Sequence, residues 1–168
     1  DATRLAAIGA PVRGVLGNLK FDVVPDAQLL ERGREWRTRT GRPVVLLASS
    51  REGEEAMWLE QIQKIRKKSP QALVDHASAA INSEASGDDL PPVQWLIVPR
   101  HPQRFDEVHQ LLERAGLSVS RRSTWAAAPG AADVWLGDSI GEMALYYGLA
   151  DVALLGGSFA PLGGQNLI

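Results

Sequence analysis

The chain has 168 residues, no cysteine and a formal net charge of -2, with 18 Lys and Arg against 20 Asp and Glu. Disulfides, a cysteine-held zinc and a thiol nucleophile are thereby excluded, and the charge balance argues against a generally basic nucleic-acid surface. No apolar run approaches the roughly 20 residues of a bilayer span and no signal peptide is expected; 45% hydrophobic and 23% charged residues are ordinary for a soluble α/β domain.

Short apolar runs alternate with amphipathic ones, which predicts a parallel sheet with crossover helices. Val12 to Leu16 is the first strand candidate. Asp26 to Thr40 reads as a helix, with Asp26 as N-cap and Leu29, Leu30 and Trp36 on one face; Gly41, Arg42 and Pro43 end it. Val44 to Ala48 is continuously apolar, as in a strand covered on both faces. Glu52 to Lys67 is the next helix, with Met57, Leu59, Ile62 and Ile65 on one side. Val93 to Val98 is the third strand. Pro102 to Ala115 reads as a helix with proline at its first position and Gly116 at its end. Leu117 to Ser120 and Val134 to Leu136 are strands, Ile140 to Tyr147 a helix, and Asp151 to Leu155 the sixth strand. Ser69 to Pro92, with its polar Ser83 to Asp89 portion, and the Ala/Pro/Gly-rich Thr124 to Ala132 read as looser connections. The tryptophans Trp36, Trp58, Trp95, Trp125 and Trp135 are expected in the core or covering the sheet.

Both ends read as cut. The chain begins at Asp1, and it stops at apolar Leu167 and Ile168, one turn into a helix that opens at Gly163-Gly164-Gln165-Asn166. A piece of a longer protein is expected.

The polar motifs all follow strand candidates. They are Gly17-Asn18-Leu19-Lys20-Phe21-Asp22, Ser49-Ser50-Arg51-Glu52-Gly53-Glu54-Glu55, Pro99-Arg100-His101-Pro102, Arg121-Arg122-Ser123, Gly137-Asp138-Ser139-Ile140-Gly141-Glu142, and Gly156-Gly157-Ser158 leading to Gly163–Asn166. In an open parallel sheet the strand ends share one edge, where ligands bind. Lys20, Arg51, Arg100, Arg121 and Arg122 collect there beside helix N-termini, a supply suited to a phosphate. Plainer readings stand beside this one. Ser49-x-x-Glu52 and Ser139-x-x-Glu142 also match capping boxes. Arg100-His101-Pro102 also fits a solvated helix start, with His101 a poor cap. The paired glycines make no Gly-x-Gly-x-x-Gly fingerprint and also fit tight turns. His101 and His109 are too far apart for a metal pair on one helix face. There is no Gly-x-Ser-x-Gly elbow, so a hydrolase of that type is excluded.

Taken together and in this order, the motifs at 17–22, 48–55, 98–102, 136–142 and 156–166 resemble the bacterial Kdo (3-deoxy-D-manno-octulosonic acid) transferases of lipopolysaccharide synthesis. The resemblance spans nearly the whole chain. Ser69 to Pro92 departs from it, as does Gln165, where the family often carries His. It implies the GT-B architecture, with two Rossmann-like domains facing a cleft. Residues 1–168 match the C-terminal domain, a parallel sheet with helices on both faces, which holds the donor CMP-Kdo. The other domain would carry the membrane anchor, the lipid A precursor site and the carboxylate base. The implied reaction transfers Kdo from CMP to a hydroxyl of the lipid A precursor, at the cytoplasmic face of the inner membrane. No metal or other cofactor is implied, no nucleic acid, and no membrane contact except through the other domain.

On this reading Lys20 and Arg100 stabilise the leaving phosphate. The donor site comprises Arg100, His101, Pro102, Gly137, Asp138, Ser139, Ile140, Gly141, Glu142, Gly157, Ser158, Gly163, Gly164, Gln165 and Asn166. Glu142 is a cap or a sugar ligand, and Ser49 to Glu52 face the Kdo moiety or the other domain. Two alternatives stay open: a GT-B transferase or epimerase using another nucleotide sugar, and a non-catalytic nucleotide-binding domain.

Overall fold

The computed structural model describes residues 2–14, 24–68 and 93–160. In chain order these form α1 (Ala2–Ala7), α2 (Ala27–Thr38), β1 (Val44–Ser50), α3 (Glu54–Lys68), β2 (Gln94–Pro99), α4 (Phe105–Arg114), β3 (Val119–Arg121), β4 (Val134–Leu136), α5 (Met143–Leu149) and β5 (Val152–Leu155). The strands make a five-stranded sheet in the order β3-β4-β2-β1-β5, parallel throughout. Their carboxyl ends therefore lie along one edge.

The apolar runs divide their side chains between two layers with the strand period of two. Leu46 and Ala48 of β1, with Leu96 and Val98 of β2, pack with Trp36 of α2 and Leu145, Tyr146 and Leu149 of α5. Leu47, Trp95 and Ile97 point the other way and pack with Ile62 of α3 and Val108 and Leu112 of α4. Both faces are thus covered, which is why β1 and β2 read as unbroken apolar runs. Trp36, Trp95, Trp125 and Trp135 are buried, and Trp58 meets Trp95 edge-on at 5.6 Å. The expected core role of the tryptophans holds.

Local chemistry sets the boundaries. Asp26 caps α2, accepting the N–H groups of Gln28 and Leu29 at 2.9 and 3.1 Å. Gly116 follows α4 at φ 75°. Its N–H reaches the Glu113 carbonyl and that of Leu117 the Leu112 carbonyl, the paired bonds of a Schellman end. Asp151 accepts both the Arg37 guanidinium and the Val44 N–H at 2.7 Å. It thereby ties the end of α2 to the amino ends of β1 and β5.

Several expectations need correction. Val12–Gly14 form neither strand nor helix, and Val15 and Leu16 lie outside the described residues, as does the Ser69–Pro92 stretch. The described sheet has five strands rather than six. Helix α1 was not anticipated; none of its residues is buried, so no apolar stripe announces it, only alanine propensity. α3 starts at Glu54 instead of Glu52, after Gly53 at φ 86°, and α5 starts at Met143 instead of Ile140, after Gly141 at φ 81°. The expected Pro102 helix opens as a 3-10 turn over Pro102–Arg104 before α4. β1 continues to Ser50, with Ser49 at φ 55° and a register shift between Ala48 and Ser50.

α2 and α5 approach through glycines. A Cβ on Gly33 would overlap the Leu145 carbonyl oxygen and come within 2.9 Å of Gly148 Cα, and one on Gly148 would overlap the Leu30 carbonyl. Gly33→Ala is expected to cost about 2 kcal/mol, in the range of overpacked contacts. Denaturant unfolding measures it; an unshifted midpoint would show that the two helices separate without penalty.

Candidate functional site: the carboxyl edge of the sheet

Backbone bonds gather the strand exits. Gly156 N–H reaches the Ala48 carbonyl at 2.8 Å, Gly137 N–H the Ile97 carbonyl at 2.8 Å, and Arg100 N–H the Ser50 carbonyl at 2.9 Å. The motifs after β1, β2, β4 and β5 therefore converge as expected. Gly17, Lys20, Gly163, Gly164, Gln165 and Asn166 lie outside the described residues.

Tight packing explains two of the motif glycines. A Cβ on Gly137 would lie 2.6 Å from Val98 Cγ2 and 2.7 Å from the Tyr146 ring. One on Gly156 would lie 2.6 Å from both the Ser49 carbonyl oxygen and Ser50 Cα. Both positions need glycine whether or not a ligand comes near.

Buried acids hold the loops. Glu54, 2% exposed, accepts the Gly157 N–H at 2.7 and 2.8 Å, that of Phe159 at 3.0 Å, that of Ala160 at 3.4 Å and that of Arg51 at 2.8 Å. Burial by itself would raise its pKa, but these donors outweigh burial and hold it below the ordinary carboxylate value. Glu55 Oε1 accepts the Ser50 hydroxyl at 2.6 Å and the Arg104 guanidinium at 2.8 Å. The capping box expected between Ser49 and Glu52 is not formed. Glu52 is exposed, and its place is taken by Glu54, whose Oε2 accepts the Arg51 N–H.

Asp138 and Glu142 are engaged in the same manner. Asp138, its side chain 2% exposed, accepts the Ser123 N–H at 2.8 Å, the Ser123 hydroxyl at 2.6 Å and Arg121 Nε at 2.7 Å. Burial pulls its pKa up, but Ser123 and Arg121 pull it further down, below the ordinary value. Glu142 stands at the N-cap of α5 without a side-chain cap bond, and accepts Arg122 at 2.7 Å instead. The second expected capping box is therefore also absent. Ser139 pairs with the Tyr146 hydroxyl at 2.5 Å. Burial pushes the Tyr146 pKa up to about 12, so it stays protonated.

These bonds sort the cations collected by sequence. Arg121 binds Asp138 and, at 2.6 Å, Asp106. Arg122 binds Glu142 and lies 5.7 Å from the ring centroids of both Trp36 and Trp125. Both serve the fold. Arg100, His101 and Pro102 are exposed, as are Ser158, Gly141 and Ile140, the last at 77%. Among the described residues the outward face of the edge thus presents a guanidinium, an imidazole, a hydroxyl and the apolar side chains of Pro102 and Ile140.

Sequence reasoning quoted Glu54 and Glu55 in the motif after β1 without giving either a role, and passed over Arg104 and Tyr146. The Glu54-Glu55 pair was the available signal: two adjacent acids in a first helical turn, directly after a strand exit. Among the described residues no group of three metal-ligating side chains converges, and no helix is long and apolar enough to cross a membrane.

No family model matches the chain. Over 170 residues, 100% of this chain and 35% of the relative, it is 49% identical to a 3-deoxy-D-manno-octulosonic acid transferase of Bordetella pertussis. It is 33% identical to the Haemophilus influenzae enzyme of the same name over 97% of this chain and 34% of that one. The chain therefore spans about a third of the length of these relatives. In structure it is similar to the C-terminal CMP-Kdo binding domain of WaaA from Acinetobacter baumannii. The TM-score is 0.62 at 27% identity, covering 85% of this chain and 65% of that one.

Asp138→Asn removes a charged acceptor from two Ser123 donors and Arg121, and is expected to destabilise the fold at pH 7 by about 2 kcal/mol. Because the folded-state pKa is lowered, this contribution is complete above the unfolded value near 3.8 and fades as pH falls through the lower folded value. Unfolding curves of both proteins from pH 7 to pH 3 measure it; a difference that widens on acidification would contradict the assignment.

Proposed function

We propose that this chain, a homologue over its full length of the Kdo transferases, is the donor-binding domain of a two-domain GT-B glycosyltransferase. The parent enzyme transfers Kdo from CMP-Kdo to a hydroxyl of the lipid A precursor at the cytoplasmic face of the inner membrane. The observation that carries this reading is the outward face of the carboxyl edge, where exposed Arg100 follows β2 beside the exits of β1 and β4.

Transfer breaks the bond between the anomeric carbon of Kdo and a phosphate oxygen of CMP. Negative charge gathers on the phosphate, and a cation fixed beside it lowers the barrier. Arg100 is given this role. Lys20 shares it on its motif alone, as do the backbone donors expected at Gly163 to Asn166. His101 and Pro102 border the same exit. The backbone of Ser139 to Gly141, with exposed Ile140, borders the cytidine and ribose. Gly137 packs beneath that loop, and the Asp138 and Glu142 side chains support it from within instead of contacting the donor.

The base that takes the acceptor proton is assigned to the other domain. Glu54, Glu55, Asp138 and Glu142 are each committed to internal donors, so none is poised beside an incoming hydroxyl; exposed Glu52 is the first candidate should the base lie in this chain. Residues 1–168 by themselves are expected to give no product with CMP-Kdo and lipid A precursor; turnover above background would move the base into this chain.

Calorimetric titration separates donors: CMP should bind at least tenfold more tightly than UDP, and equal affinities would point to another nucleotide sugar. In the complete enzyme Arg100→Ala should slow transfer at least about tenfold. A charged hydrogen bond contributes about 1.5–3 kcal/mol and each 1.36 kcal/mol is tenfold in rate. Unchanged kinetics would remove Arg100 from the phosphate site.

A further inference from the structure

We infer that Glu54 is a positioning residue for the donor: from the head of α3 its carboxylate fixes the loop after β5 in the shape that presents Ser158 to the ligand. This rests on the donor-binding reading and assigns a residue that the motif comparison left without a role.

The geometry is that of an anion seated in a nest of backbone amides, with the anion supplied by the protein itself. Three amides of the Gly157–Ala160 turn, those of Gly157, Phe159 and Ala160, donate to one carboxylate more than a hundred residues earlier in the chain. A fourth, from Arg51, joins the loop after β1 to Oε2 of the same carboxylate. Two glycines make the approach possible. Gly157 sits at φ 79°. A Cβ on Gly156 would come within 2.8 Å of Glu54 Oε2 and 2.6 Å of the Ser49 carbonyl oxygen.

Two consequences follow for the site. The N–H groups of Gly157, Phe159 and Ala160 are consumed by Glu54, so they do not cradle a bound phosphate, which is what the glycine pair suggests in the sequence. Ser158 lies between them, is exposed beside the exposed Phe159 ring, and its hydroxyl is the polar side-chain group this turn offers the donor. A glutamine at position 54 has the same shape but replaces one acceptor oxygen with an NH2 that faces N–H donors. The loop should then lose its anchor with little change in packed volume.

The test is made in the full-length chain. Glu54→Gln should raise the KM for CMP-Kdo at least tenfold and leave the KM for the acceptor unchanged. Glu60→Gln, an exposed glutamate on the same helix, should change neither. A folded Glu54→Gln variant with an unchanged donor KM, even at a lower thermal midpoint, would overturn the inference. Amide exchange of the unsubstituted chain without nucleotide gives a second arm that does not depend on the variant folding. Gly157 and Phe159 should exchange at least tenfold more slowly than Ser158. Exchange at Gly157 and Phe159 as fast as at Ser158 would equally overturn it. This arm contains no donor, so an unsubstituted chain that fails to bind CMP-Kdo would strike the donor assignment separately.

Discussion

The carboxyl edge depends on the reach of Glu54 from the first turn of α3 to the backbone after β5. A carboxylate buried without partners would be costly enough to take up a proton instead. Here it meets donors from two loops, and its charge becomes the reason those loops have one shape. Glu55, the next residue, does the same for the other side of the edge, joining Ser50 at the end of β1 to Arg104 after β2. Two adjacent residues thus connect the exits of β1, β2 and β5.

Asp138 and Glu142 extend this scheme to the β3 side. Arg121 and Arg122, which lie with other cations near a presumptive phosphate when read in sequence, turn inward to these acids. Their charge is neutralised within the protein, so neither adds to the outward charge of the edge.

Beneath the edge, close packing sets the distances. Gly33 against Gly148 lets α2 and α5 touch backbone to backbone, and Gly137 lets the β4 exit lie on Val98 and Tyr146. The Tyr146 hydroxyl, kept protonated by burial, holds Ser139 of the same exit. The loop after β4 is thereby tied to the face of the sheet that α2 and α5 cover.

The parallel α/β class, the strands β1, β2, β4 and β5, the cap at Asp26 and the end of α4 at Gly116 were legible in the sequence. Each depends on local pattern: an apolar run, a capping side chain, a glycine at positive φ. The family was legible as well, because five motifs at strand exits stand in one order along the chain. What the acids and arginines do was not. Ser49-Glu52 and Ser139-Glu142 have capping-box spacing, yet the first bond passes to Glu54 after Gly53 delays the helix, and Glu142 turns to Arg122 instead. Glu54 to Gly157 and Asp138 to Arg121 are contacts between segments distant in sequence. Only the order β3-β4-β2-β1-β5 brings them together, since a side chain's partner across a sheet edge is set by strand order, which no local pattern records.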